Sequence, residues 1–188
     1  MNRREVLRYT ALGSGTAVFA PLLSSILSGC GRSAIESADN YQPVAFTPAQ
    51  MELVKDVANT ILPATDTPSA TDVNVHIVID EIVGKTYSEE DKKVYLDGFS
   101  ALEKWLEIKG YRDLTPEEKE TMLTELEKEG AENAEQVQTA YLHFKQQVIA
   151  FYLTSERIAE NELNYLPVPG VYEPCIKLEE VGNKKWAI

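Results

Sequence analysis

Apolar residues recur at helical spacing along most of the chain after Phe46. The first such run lies between Pro48 and Pro63 and consists of Leu53, Val54, Val57, Ala58, Ile61 and Leu62. These positions share one face of an α-helix, so the run predicts a helix rather than a strand. Thr47 suits the N-cap and Pro48 suits the first helical position. We therefore expect a helix that begins at Pro48 and stops at Pro63.

The next apolar run, residues 73–83, is rich in β-branched side chains and could form a strand or a helix. The alternation of its first apolar residues breaks at Val78. Asp80 and Glu81 would also interrupt a buried strand. The pattern therefore favours a helix that ends at Gly84.

Cap signals divide the rest of the chain into further helices. Ser88 with Asp91, and Thr115 with Glu118, resemble capping boxes, although the first has Asp in place of the usual Glu. Ser155 is expected to cap a short helix. The predicted helices cover about residues 88–110, 115–130, 134–153 and 155–163.

The connecting segments are rich in turn residues. In the loop of residues 64–72, Asp66 and Asp72 are expected to form turns and to cap the next helix. The tail, residues 165–188, contains several prolines and should be irregular. The predicted fold class is therefore all-α: a compact bundle of about five to six helices with an extended, Pro-rich C-terminal segment.

The first thirty residues resemble two export signals in succession. Arg3 and Arg4, followed by a moderately apolar stretch, resemble a twin-arginine signal, which exports folded proteins. Residues 27–30, Leu-Ser-Gly-Cys, resemble a bacterial lipobox, in which cleavage precedes lipid attachment to Cys30. An ordinary secretory signal or a short membrane anchor is the alternative. The stretch is shorter than the about 20 apolar residues of a spanning helix.

The expected organisation has three parts. They are a twin-arginine-type lipoprotein signal peptide at 1–29, the lipidated Cys30 with a flexible tether at 30–45, and a helical domain at 46–188.

Charge and motifs narrow the functional classes. The formal net charge of −12 argues against nucleic acid and against electrostatic binding to anionic lipids. A solvated helical surface explains the acidity.

The sequence contains no dinucleotide fingerprint, P-loop, zinc-protease helix or nucleophile elbow. Lone histidines such as His76 and His143 are more often core or interface residues than ligands or bases. Catalytic, cofactor-binding and metal-binding residues are therefore not assigned.

The tail offers the candidate partner interface. It packs on its own helices, contacts another protein, or does both. With Cys30 lipidated, Cys175 is the remaining thiol, which suggests a bond to another chain or a buried inert thiol. A partner would pair with Cys175 or bury it. The candidate interface residues are Tyr165, Pro167, Pro169, Tyr172, Cys175 and Trp186.

Two segments at opposite ends of the domain resemble signatures of the gluconate 2-dehydrogenase subunit 3 family. The first is residues 58–70, ANTILPATDTPSA. The second comprises residues 151–156, FYLTSE, and residues 165–170, YLPVPG. The resemblance covers most of residues 46–188.

This resemblance implies an accessory role. Family members are similar to the small, exported subunit of membrane-associated, flavin-dependent sugar or sugar-acid dehydrogenases. There, a large subunit of the glucose–methanol–choline oxidoreductase type carries FAD and the catalytic histidine, and a cytochrome c subunit often accepts the electrons. The small subunit supplies the twin-arginine signal and helps the large one to mature.

The leading hypothesis is therefore a non-catalytic subunit without a cofactor of its own. It would escort the large subunit across the membrane and hold it by the lipid on Cys30, on the periplasmic side of the bacterial cell envelope. One alternative is a stand-alone envelope lipoprotein that acts as a binding or scaffold module. Another is a small enzyme that uses His76 or His143.

Overall fold

The computed structural model of the protein describes residues 41–129, 135–168, 170 and 175–187. The regular structure in these ranges is helical, apart from one isolated bridge in the tail, so the all-α prediction with about five to six helices is confirmed. The α-helices are α1 Pro48–Ile61, α2 Val75–Lys85, α3 Glu89–Ile108, α4 Pro116–Glu129, α5 Glu135–Leu153 and α6 Glu156–Asn161. Short 3-10 helices occupy Tyr111–Asp113 and Leu178–Val181.

The predicted start of α1 is confirmed in detail. The Thr47 hydroxyl accepts a hydrogen bond from the Gln50 backbone N–H at 3.2 Å, and Gln50 Oε1 accepts one from the Thr47 N–H at 3.2 Å. This reciprocal pair is a capping box, and Pro48 occupies the first turn. The β-branched run after the loop is also a helix, as predicted, and α2 extends one residue beyond Gly84.

The N-cap predictions for α3 and α4 are confirmed, whereas at α6 the position is confirmed and the side-chain cap is not. Ser88 Oγ accepts from the Asp91 N–H at 3.1 Å at the start of α3. The Thr115 N–H donates to Glu118 Oε2 at 2.8 Å at the start of α4. Ser155 precedes α6 but makes no side-chain cap. Its hydroxyl donates instead to the Tyr152 carbonyl at 2.7 Å, one of the last carbonyls of α5, which have no partner within the helix.

Aromatic rings form the centre of the core between α3, α5 and the segment before α1. The Phe46 ring lies edge-on to Phe99 at 4.9 Å between centroids and to Tyr95 at 6.2 Å. Phe99 in turn contacts Phe144 of α5 at 5.7 Å. Edge-to-face pairs of this kind are a favoured arrangement of buried aromatic rings. Phe46 therefore joins the N-terminal described segment to the main helix pair.

A buried carboxylate fixes the path of that segment. Asp80 of α2 has no solvent exposure. Its two oxygens accept the backbone N–H groups of Val44, Ala45 and Phe46 at 2.6, 2.9 and 2.9 Å. Charged acceptors make stronger hydrogen bonds than neutral ones, and such bonds offset the cost of burying the charge.

A glycine on the same helix makes room for this arrangement. A Cβ built on Gly84 would lie 2.7 Å from Val44 Cγ1, well inside van der Waals contact. Gly84 is therefore needed for close approach of the segment to α2, and not as the end of the helix.

His76 is a core residue, as predicted, with 4% of its surface exposed. Its Nδ1 atom has no hydrogen-bond partner among the described residues. Burial disfavours the charged imidazolium, and the nearby Lys55 ammonium adds to this, so the pKa of His76 falls from 6.5 to about 4. The unfolded chain thus takes up a proton at a higher pH than the folded one.

Replacing Asp80 with Asn should lower the free energy of unfolding by about 2–3 kcal/mol, because three backbone donors would lose a charged acceptor. Urea denaturation of the purified protein measures the change. Glu81→Gln is the matched control: its side chain is 42% exposed in a pair with Lys85, so its effect should stay within about 0.5 kcal/mol. Equal losses in the two variants would contradict the role assigned to Asp80.

The protein should lose stability as the pH falls from about 6.5 towards 4, by up to about 3 kcal/mol, because only the unfolded chain binds a proton at His76 in this window. Above pH 6.5 this contribution to stability is fully present. Urea titrations at several pH values measure it. His76→Leu should remove the His76 part of the pH dependence, whereas His143→Gln should keep it. An unchanged dependence in His76→Leu would refute the assignment.

Candidate functional site

The loop after α1 is held rigidly by side chains at its two ends. Asn59 Oδ1 of α1 accepts from the backbone N–H and the hydroxyl of Thr71, at 3.1 and 3.0 Å. Asp72 Oδ2 accepts from the backbone N–H and the hydroxyl of Ser69, at 2.9 and 2.7 Å. These two bonds from Ser69 lower the pKa of Asp72. These four hydrogen bonds tie the second half of the loop to α1 and to itself.

The predicted roles of the two loop aspartates are partly wrong. Asp72 forms a turn with Ser69, as predicted, but neither Asp66 nor Asp72 caps α2. The N-cap position belongs to Asn74, whose backbone is left-handed with φ of 60° and whose side chain makes no cap bond. The turn through Asn74 takes Asp72 away from the start of the helix, so its carboxylate cannot reach the first free N–H groups.

The two signature segments meet in space. Tyr152 of α5 donates a hydrogen bond from its hydroxyl to the Pro68 carbonyl at 2.7 Å. A surface hollow joins the loop of residues 64–68 to Arg157 and Asn161 of α6 and to Glu162, which follows that helix. The Arg157 charge also acts on Asp72 and favours its ionised form. Sequence reasoning missed this contact, because Tyr152 is indistinguishable by spacing from the core residues of α5.

The tail returns to the end of α6. The Asn164 N–H donates to the Lys185 carbonyl at 2.7 Å, and the Ala187 N–H donates to the Asn164 carbonyl at 3.1 Å. The result is an isolated parallel bridge between Asn164 and Trp186. Lys184 Nζ also donates to the Asn161 carbonyl. Both ends of the tail are therefore attached to the helical body.

This bridge brings the backbones of two of the predicted interface residues close together. Tyr165 follows Asn164 directly in the chain, and Trp186 is the bridge partner of Asn164. The two side chains remain 49% and 48% exposed. Leu166, Pro167 and Val168 are exposed as well. We call Tyr165, Leu166, Pro167, Val168 and Trp186 the tail surface. The exposed Leu166 and Val168 were not among the predicted interface residues, since composition alone gives no sign of exposure.

The other predicted site residues divide into two groups. Cys175 is described: it is a free, exposed thiol, so the alternative of a thiol buried within its own chain is wrong. The remaining ones lie outside the described residues. They are Arg3, Arg4, Cys30, Pro169 and Tyr172.

The histidines offer no shared site. His76 is enclosed in α2, and the exposed His143 lies on α5 with its ring edge-on to Tyr95 at 5.5 Å. Within the described ranges, no three His, Cys, Asp or Glu side chains are grouped so that they could hold a metal ion. No helix in those ranges is both long and apolar enough to cross a membrane.

Comparison with known proteins agrees with the two signatures. The family model described as gluconate 2-dehydrogenase subunit 3 matches residues 48–170, from the first residue of α1 into the tail. No curated protein and no solved structure gave a match. The matched range contains the loop after α1, Tyr152 and the first part of the tail surface. The chain belongs to the gluconate 2-dehydrogenase subunit 3 family.

Proposed function

We propose that the chain is the non-catalytic small subunit of a membrane-associated, flavin-dependent sugar or sugar-acid dehydrogenase. Family membership makes it an accessory subunit of the gluconate 2-dehydrogenase type. In this proposal FAD belongs to a large subunit of the glucose–methanol–choline oxidoreductase type. The small subunit supplies the export signal at Arg3 and Arg4 and helps the large subunit to mature. The lipid on Cys30 then anchors the complex.

The observation that supports this proposal best is the tail surface, most of which belongs to the second signature segment. It presents half-exposed Tyr165 and Trp186 side chains together with exposed Leu166 and Val168. Large apolar side chains left exposed near one another along the chain are candidates for a protein–protein contact, and Tyr and Trp are frequent anchors of such contacts. The hydrogen bonds at Asn164 hold the backbone beside these anchors in place, so less backbone entropy is lost on binding.

The proposed location is the periplasmic side of the bacterial cell envelope. The acidic surface gives no electrostatic attraction to anionic lipid, so attachment would depend on the acyl chains at Cys30. A cytochrome c subunit is a further proposed partner, as electron acceptor of the flavin. Cys175, exposed in the described tail, would pair with a partner cysteine or become buried at the interface.

A stand-alone envelope lipoprotein with a binding or scaffold role is the alternative. Its favouring observation is that the described helices form their own core, with Leu102, Val54 and Val57 fully buried, so the domain does not need a partner to enclose its apolar residues. Purification from the envelope separates the two: a flavoprotein that co-purifies favours the subunit, and a colourless monomer favours the alternative.

Replacing both Arg3 and Arg4 with Lys should leave the dehydrogenase large subunit in the cytoplasm, because a passenger without a signal of its own depends on this one. Flavin content and dye-linked dehydrogenase activity are measured in cytoplasmic and envelope fractions. Arg8→Lys, in the same signal segment, is the matched control and should leave export unchanged. Normal export of the flavoprotein in the double variant would refute the escort role.

Truncating the two anchors, Tyr165→Ala with Trp186→Ala, should weaken the complex by about 2 kcal/mol or more, which is about a 30-fold rise in Kd. The flavin that co-purifies with the tagged chain measures this loss, and circular dichroism checks the fold. Ile108→Ala on α3 is the control, because Ile108 is 84% exposed and lies outside the tail surface. If the control loses as much flavin as the double variant, the tail surface is not the interface.

A further inference from the structure

A groove of about 720 Å³ lies between α3 and α5. Its floor consists of the buried Tyr95, Gly98 and Phe99. A Cβ on Gly98 would lie 3.3 Å from the Ala140 Cβ, so the two helices approach closely at this point. None of the groove residues belongs to the tail surface. The groove is therefore a second, separate candidate for binding.

Hydrogen bonds within the chain fix the side chains around the groove without any bound partner. The Tyr95 hydroxyl donates to Gln147 Oε1 at 2.6 Å, and Gln147 Nε2 donates to the Tyr87 hydroxyl at 2.9 Å. The His143 ring stands edge-on to Tyr95 from the opposite helix. A surface that is already ordered loses little entropy when a partner arrives.

The side chains that line the groove indicate what kind of partner it binds. Val94 lies on the wall with 69% of its surface exposed, and it adds an apolar contact point beside the aromatic floor. The exposed carboxylates of Asp91 and Glu135 stand on the rim. No Lys or Arg lines the groove in the described part of the chain. A basic group on the occupant would therefore complement the rim charges.

The groove is open, which favours a protein segment over a small molecule. Enclosed ligand sites bury about 70–90% of their ligand, whereas most of the polar rim here is exposed to solvent, including Thr139 and His143. A shallow apolar channel between two helices suits an amphipathic helix, which buries residues spaced three or four apart.

We propose that this groove binds a helical segment of a partner protein. The segment places an apolar side chain on Val94 and Tyr95, and within one helical turn a Lys or Arg side chain beside Asp91 and Glu135. This inference goes beyond the proposed function, because it does not require the partner to carry flavin and does not use the tail surface.

Photo-crosslinking of the full-length chain in intact cells, without fractionation, tests the proposal. A photoreactive benzoyl-phenylalanine replaces Thr139, and mass spectrometry identifies the attached peptide. The expected adduct is to a partner segment with an apolar residue within one turn of a Lys or Arg.

Adding Val94→Lys, which removes the apolar contact and adds a repelling charge, should reduce the adduct about tenfold, equivalent to about 1.4 kcal/mol. Ile108→Lys is the matched control: Ile108 lies on the same helix, is 84% exposed and does not line the groove, so this change should leave the adduct unchanged.

Several results would overturn the proposal. They are no adduct from position 139 in the folded, full-length chain; an adduct to a second copy of the chain; an adduct to a peptide without a basic residue; or equal losses with Val94→Lys and Ile108→Lys. Flavin in the purified complex is measured separately and bears only on the proposed function. The failure of either idea is therefore visible without the other.

Discussion

The burial of one carboxylate sets the arrangement of the domain. A charge removed from water is tolerated only when strong hydrogen bonds replace its hydration, and Asp80 obtains them from three consecutive backbone N–H groups. That requirement fixes the segment of residues 44–46 against α2. The fixed segment then places Phe46 on the aromatic rings of α3 and sets the start of α1. The absence of a side chain on Gly84 is a condition of the same contact. The core is therefore organised around a polar interaction as much as around apolar packing.

Local chemistry explains which parts of the fold could be predicted. Helix starts marked by Thr47, Ser88 and Thr115 are visible in sequence because each cap lies within three residues of its partner. The helix of residues 75–85 was predictable because its spacing did not suit a strand. From the sequence, Asp80 was only a residue that would interrupt a buried strand, and its structural role was not predicted. Its partners are backbone groups more than 30 residues away, and backbone N–H groups have no signature in a sequence.

The candidate surfaces were predictable in residue type but not in geometry. Prolines and aromatic residues marked the tail as unusual, yet nothing in its sequence indicated that Asn164 and Trp186 would pair. The contact of Tyr152 with Pro68 joins two motifs that are far apart along the chain. It shows that they shape one region of the molecule. Spacing could not predict the groove between α3 and α5 either, since it depends on how Gly98 and Ala140 bring the helices together. Tertiary packing, rather than local propensity, determines each of these features.

The bridge at Asn164 has a consequence for how far the length of the tail can vary. Because both ends are attached to the body of the domain, the chain between Asn164 and Trp186 is a closed loop. The entropy of closing a loop grows only with the logarithm of its length, so each doubling costs about 0.6 kcal/mol. Insertions or deletions in the middle of the loop should therefore be tolerated while Tyr165 and Trp186 stay where they are. The segment can serve as a site for grafting tags, epitopes or longer binding loops, with the register of its anchors preserved.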